Sequence, residues 1–195
     1  VTSSVMGEGK TTTAVNLAYI LAHDLGKSTL LIDCDFKRPM VHEYMELSPG
    51  PGVGDVLHGA DILENCIRQC DRVPLWVLSS GTPSIRPAGL SGIQYVKKIL
   101  PELKTHYDHV ILDAPPVMPL ADVNILSGLI DMTAFVVRAG GTSQDVAKKA
   151  LGTFGETAGA AGIILTDVEM EHAPYFTYAA AYINDGNEIR AQQSL

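Results

Sequence analysis

Positive charge is scarce in this 195-residue chain. Its 14 Lys and Arg are outnumbered by 22 Asp and Glu, for a formal net charge of −8. A nucleic-acid surface needs clustered Lys and Arg, so this balance argues against one. Cysteine is equally sparse: Cys34, Cys66 and Cys70 form no disulfide framework, and Cys66-x3-Cys70 lacks the companion ligands of a zinc site. A reduced, cytosolic setting is expected. No apolar run approaches the roughly 20 residues that span a bilayer, and no signal-peptide pattern is present. The chain opens on Val1, on residues that read as the end of a strand, so the first strand is expected to begin upstream.

What the chain does have is alternation. The runs "STLLID" (28–33), "PLWVLSS" (74–80), "DHVILDA" (108–114), "MTAFVVRA" (132–139) and "AGIILTDV" (161–168) are short, rich in Val, Ile and Leu, and bounded by polar or turn residues. Such runs suit strands buried on both faces. Helical stretches lie at 11–25, 87–106, 121–130 and 143–158. The expected fold is α/β, a mostly parallel twisted sheet with helices on both faces and ligand-binding loops at the carboxyl ends of the strands. A Pro/Gly loop, "SPGPGVG" (48–54), and the tail after Asp167 break the rhythm. The organisation expected is one domain over 1–168 followed by a tail over 169–195.

At the amino end, "SSVMGEGKTTT" (3–13) has the composition of a phosphate-binding loop between a strand and a helix. Gly7 and Gly9 let the backbone curl so that successive N–H groups point at one cluster of oxygens. The helix start adds the positive end of its dipole. Lys10 supplies a point charge for the β- and γ-phosphates, and the Thr11 hydroxyl is a magnesium ligand. Glu8 and Thr12 complete the candidate nucleotide contacts, with Glu8 expected as a solvated loop residue that also lies near the phosphates. Ser4 stands at the loop entrance, where the usual pattern has Gly. Arg138, at the end of a later strand, is weighed between nucleotide contact and an edge salt bridge.

Two buried strands end in carboxylates: "LLIDCDFKRP" (30–39) carries Asp33 and Asp35, and "HVILDAPP" (109–116) carries Asp113. Charge at the end of an apolar strand is costly without a cation. All three carboxylates could therefore gather around the magnesium that Thr11 would hold.

Together, "SSVMGEGKTTTAVNLA", "LLIDCDFKRP" and "HVILDAPPV" resemble the Walker A, A′ and B motifs of the bacterial tyrosine kinases of capsular and exopolysaccharide systems, and the resemblance runs to about Val168. It implies the P-loop NTPase fold, ATP with Mg²⁺, and γ-phosphoryl transfer to tyrosine. By the resemblance Lys10, Asp33 and Asp35 are catalytic, with one aspartate a candidate base, and Asp113 holds magnesium through water. It further implies a membrane polysaccharide co-polymerase or activator segment as partner, a homo-oligomer that phosphorylates itself in trans, a cognate tyrosine phosphatase, and a place at the inner face of the cell membrane. Val5 stands where the related partitioning and division ATPases carry a signature Lys, which favours the kinase branch. Met6, Lys37 and Gly89 depart from the kinase pattern, and Thr166–Asp167 replaces an Asn-containing pair.

The tail segment "YFTYAAAY" (175–182) holds Tyr175, Tyr178 and Tyr182, three of the chain's seven tyrosines. Two readings stay open: phosphoacceptors offered to a neighbouring subunit, or one face of a packed amphipathic helix. Trp76 and Tyr19 are expected in the core. The rival to a kinase is an ATP-driven assembly switch that phosphorylates no protein. A small-molecule ligase or reductase partner would need a second substrate pocket or cluster cysteines, neither of which the sequence offers.

Overall fold

The structure, a computed structural model, describes residues 1–70, 72–85, 87, 89–118, 125, 126, 128–153 and 160–169. The described elements are β1 (Thr2–Ser3), α1 (Lys10–His23), β2 (Thr29–Asp33), α2 (Val41–Tyr44), α3 (Val53–Leu57), α4 (Leu63–Cys66), β3 (Ile67–Gln69), β4 (Leu75–Leu78), a 3₁₀ turn at Pro83–Ile85, α5 (Gly89–His106), β5 (His109–Asp113), β6 (Met132–Arg138), α6 (Gln144–Thr153) and β7 (Ala160–Thr166). The helix expected over 121–130 and the end of the one expected over 143–158 fall largely outside the described residues.

Hydrogen bonding orders the strands as β3-β4-β2-β5 and β1-β6-β7. Every pairing is parallel except β3 with β4. Val1 links the two groups: its nitrogen donates to the Leu112 carbonyl at 2.7 Å, and its carbonyl accepts from the Ala114 N–H at 2.9 Å. β1 therefore sits between β5 and β6, and the loop that follows it emerges from the middle of the sheet. Parallel strands also share one carboxyl edge, so Ser3, Asp33, Asp113 and Arg138 end up on the same side of the molecule. Asp33 and Asp113 are in direct register.

Helices cover the two faces of the sheet through opposite sets of strand residues. Ala14, Ala18 and Ala22 give α1 a flat stripe at helical spacing that lets it lie close on Leu31, Leu75 and Val77. On the other face, α5 buries Ile93, Val96, Ile99, Leu100 and Leu103 against Leu30, Ile32, Leu78 and Leu112. Burial of both strand faces explains the unbroken apolar run of β2, whose five residues are all buried.

β7 departs from the expectation of two buried faces. Ile163 and Leu165 are 59% and 60% exposed, and no β7 residue enters the described core clusters; β7 pairs with β6 alone among the described residues. Tyr19 is also corrected: it is 45% exposed and stacks on His23 at 5.1 Å rather than entering the core. Trp76 packs at the flank of the core, edge-on to Tyr107 at 5.3 Å. No helix among the described residues is long and apolar enough to cross a membrane.

Candidate functional site

The loop after β1 turns through Gly7 at φ 82° and Gly9 at φ 88°, both in the left-handed region that an L side chain resists. Gly9 is the N-cap of α1, and its carbonyl accepts from both the Thr13 N–H and the Thr13 hydroxyl at 2.9 Å. Ser4 is fully buried at the loop entrance, where it leaves the phosphate-facing side to the glycines. A cavity of about 250 Å³ opens over the loop, lined by Gly7, Gly9, Lys10, Thr11, Thr12 and Asp35 and rimmed by Met6, Arg38, Met40 and Tyr44. The Thr12 hydroxyl donates to the Tyr44 hydroxyl at 3.3 Å, which sets that ring beside the loop.

Beneath the cavity the expected charged residues converge. Lys10 Nζ lies 2.9 Å from Asp35 Oδ2 and 3.8 Å from Asp113 Oδ1. The Thr11 hydroxyl donates to Asp113 Oδ2 at 2.7 Å. Asp33 faces differently: Oδ1 accepts the Asp35 N–H and Oδ2 the Val41 N–H, each at 3.1 Å. Its carboxylate thus shapes the chain after β2, whereas Asp35 lines the cavity. Asp35 is fixed in turn by the Arg38 N–H, which donates to its Oδ1 at 3.1 Å.

One ammonium serves three buried carboxylates, and the charges respond accordingly. Burial opposes the Lys10 charge, but Asp113 and Asp35 outweigh it and hold the Lys10 pKa above its usual value. Burial, reinforced by Asp113, pushes Asp33 up to about 7. Burial also raises Asp113, against the pull of Lys10 and the Thr11 hydrogen bond. A single lysine keeps its own proton here but does not offset the desolvation of Asp33 and Asp113.

This shortage of positive charge bears on magnesium. Asp113 Oδ1 is buried and accepts no hydrogen bond. Among the described residues no three His, Cys, Asp or Glu side chains form a direct cage for a metal. A hydroxyl plus one carboxylate oxygen in need of a partner matches how Mg²⁺ is held beside nucleotide phosphates, with water completing its shell.

Two expectations take new form. Glu8 is corrected from a solvated residue: it is 2% exposed and points inward, accepting the Val5 N–H on Oε2 at 2.7 Å and the Thr142 hydroxyl on Oε1 at 2.6 Å. Arg138 reaches Asp167, with Nη2 2.6 Å and Nε 2.8 Å from Oδ2, so the edge salt bridge forms. Tyr175, Tyr178 and Tyr182 lie outside the described residues.

Sequence reasoning missed three groups around the site. Asp55 is buried under the Pro/Gly loop and accepts the Gly52 N–H at 2.8 Å, the Thr82 N–H at 2.9 Å and the Thr82 hydroxyl at 2.7 Å. Burial works against its charge, but these hydrogen bonds prevail and hold Asp55 below the usual carboxylate range. Phe36, next to Asp35, packs so closely on α5 that a Cβ at Gly92 would fall 2.5 Å from its ring. Tyr44 at the cavity rim is the third. The glycines at 50, 52 and 54 and Gly81 are consistent with a close approach of the two loops, but no local pattern in sequence names the partners.

A family model described as an AAA domain matches residues 4–134. The chain is 37% identical over 150 residues to tyrosine-protein kinase YwqD of Bacillus subtilis (strain 168), an alignment covering 77% of this chain and 63% of that kinase. The chain thus spans less than two thirds of that relative's length. It is 31% identical over 181 residues to tyrosine-protein kinase CpsD of Streptococcus agalactiae, covering 91% of this chain and 78% of CpsD. Among solved structures, the VpsO kinase domain superposes with a TM-score of 0.77 at 30% identity, over 86% of this chain and 83% of that one.

Proposed function

The chain belongs to the AAA-domain family and, within it, to the bacterial tyrosine kinases; from that premise we propose that it transfers the γ-phosphoryl group of Mg-ATP to tyrosine hydroxyls, including those of its own C-terminal tail on a neighbouring copy. The observation that carries this reading is the cluster of Lys10, Thr11, Asp35 and Asp113 beneath a cavity floored by the Gly7–Gly9 loop.

Each residue has a task that its position permits. The loop amides and the start of α1 receive phosphate oxygens. Lys10, placed between the loop and the carboxylates, neutralises charge on the β- and γ-phosphates. Thr11 and Asp113 would hold Mg²⁺, which when bound supplies positive charge at the transferring phosphoryl group. In the transfer the tyrosine oxygen bonds to the γ-phosphorus, the bond to the β–γ bridging oxygen breaks, and ADP leaves. Asp35 takes the hydroxyl proton, because its side chain lines the cavity and that of Asp33 does not. Most of the acceleration comes from positioning and charge neutralisation.

The motif resemblance supports a cytoplasmic domain held at the inner face of the membrane through a polysaccharide co-polymerase, assembling with itself and reversed by a tyrosine phosphatase. Each phosphate added to the tail brings about −1.5 to −2 of charge, enough to loosen contacts between copies that already carry net negative charge. The direct test incubates wild type and Lys10→Met with Mg-ATP and maps phosphotyrosine by mass spectrometry. Phosphate on Tyr175, Tyr178 or Tyr182 in wild type alone is the expected result. Nucleotide binding without any phosphotyrosine, even together with the co-polymerase partner, would leave the assembly switch in its place.

A further inference from the structure

The phosphate loop carries a buried acid that the transfer chemistry leaves unused. Glu8 stands between the two left-handed glycines of a loop shaped to receive polyphosphate, where a negative charge opposes the ligand. Its carboxylate is nonetheless 2% exposed and fully engaged. The Val5 N–H donates to Oε2 at 2.7 Å, from within the loop. The Thr142 hydroxyl donates to Oε1 at 2.6 Å and the Arg138 N–H to the same oxygen at 3.3 Å, from the turn between β6 and α6. The Glu8 carbonyl accepts the Thr166 hydroxyl at 2.8 Å, from the end of β7. One residue therefore ties the loop to two strands more than a hundred positions away.

We propose that Glu8 is a positioning residue for nucleotide binding, a strut that fixes the loop backbone in its anion-receiving shape by anchoring it to Thr142, an assignment that rests on the loop's proposed role as the ATP phosphate site. Glycine on either side makes the loop conformationally permissive. Left free, it would lose that freedom on binding, and affinity would fall by the cost of ordering it. The strut removes the freedom beforehand. Since the carboxylate holds the loop and does not line the cavity, its loss weakens nucleotide binding through the shape of the loop, in addition to what it costs the fold.

Thr142 makes the proposal testable from outside the loop. The dissociation constant for Mg-ATP is measured by calorimetry for wild type, Thr142→Val, Glu8→Gln, Glu8→Ala and Glu8→Ala/Thr142→Val, alongside the melting temperature of each without nucleotide. Thr142→Val, which removes one donor and keeps the shape, raises the constant about five-fold, the worth of one hydrogen bond, and lowers the melting temperature by a few degrees because Oε1 keeps only the Arg138 N–H. Glu8→Gln keeps the length and one acceptor and falls between wild type and Glu8→Ala. Adding Thr142→Val to Glu8→Ala weakens binding no further, because the anchor is already lost. The proposal is overturned if Thr142→Val and Glu8→Gln bind Mg-ATP as wild type does, whatever their melting temperatures, and these two variants decide the matter even if Glu8→Ala does not fold. It is also overturned if the effects multiply in the double variant. A wild type that binds no Mg-ATP would instead remove the nucleotide reading beneath it.

Discussion

At the scale of single residues, the site is governed by how few cations it holds. Asp33 shows the consequence most plainly. Its carboxyl titrates at 3.8 in the unfolded chain and at about 7 when buried beside Asp113. Between those values the unfolded chain gives up a proton that the folded chain keeps, so the Asp33 contribution to stability falls as pH rises through that window and is level above it. Without nucleotide or metal, calorimetry of wild type and Asp33→Asn from pH 4 to 8 reads this as a gap: wild-type stability declines relative to the variant as pH climbs toward 7. A second residue-scale prediction concerns metal. Thr11→Val removes the hydroxyl that meets Asp113 Oδ2, so the Mg²⁺ concentration for half-maximal phosphoryl transfer rises about ten-fold or more, and metal-free stability falls by about 1–3 kcal/mol because the buried carboxylate loses its hydrogen-bond donor. Lys10, Thr11, Asp35 and Asp113 were all legible in sequence because each sits in a short local pattern that fixes its chemistry. Glu8 was not: its burial depends on Arg138 and Thr142, and nothing near it in the chain announces them.

At the scale of elements, close approaches hold the loops that frame the site. Gly92 lets α5 rest on the Phe36 ring, and Phe36 follows Asp35 directly. Gly92→Ala forces that ring to move, at a cost of about 1–3 kcal/mol in urea unfolding, and lowers phosphoryl transfer beyond the loss of folded protein because Asp35 moves with it. Asp55 latches the Pro/Gly loop to the loop after β4. Asp55→Ala leaves the Gly52 N–H and both Thr82 donors buried without an acceptor, at about 1–3 kcal/mol for each that water does not reach, read as a drop in the urea midpoint. The long apolar strands and the two long helices were readable from periodicity and length. The three-residue β3 was not, because it follows α4 without a break and is defined only by its antiparallel register on β4.

At the scale of the whole molecule, the fold places chemistry by topology. Alternating strands and helices dictated a parallel sheet, and a parallel sheet brings the ends of β1, β2 and β5 to one edge. Sequence alone did not show that β1 lies between β5 and β6, a fact carried by the backbone bonds of Val1 and the pairing of Thr2 and Ser3. The exposure of β7 was equally hidden, since an apolar run reads the same at an edge as in the centre of a sheet. The central claim is that this edge performs tyrosine phosphorylation with Asp35 receiving the proton. It is tested most directly by phosphotyrosine formation in Asp35→Asn against wild type at saturating Mg-ATP, with nucleotide binding measured in parallel. The account predicts a fall of about 10²–10⁴-fold in rate with nucleotide still bound, the usual loss for a removed general base. An Asp35→Asn variant that phosphorylates tyrosine at the wild-type rate would contradict it.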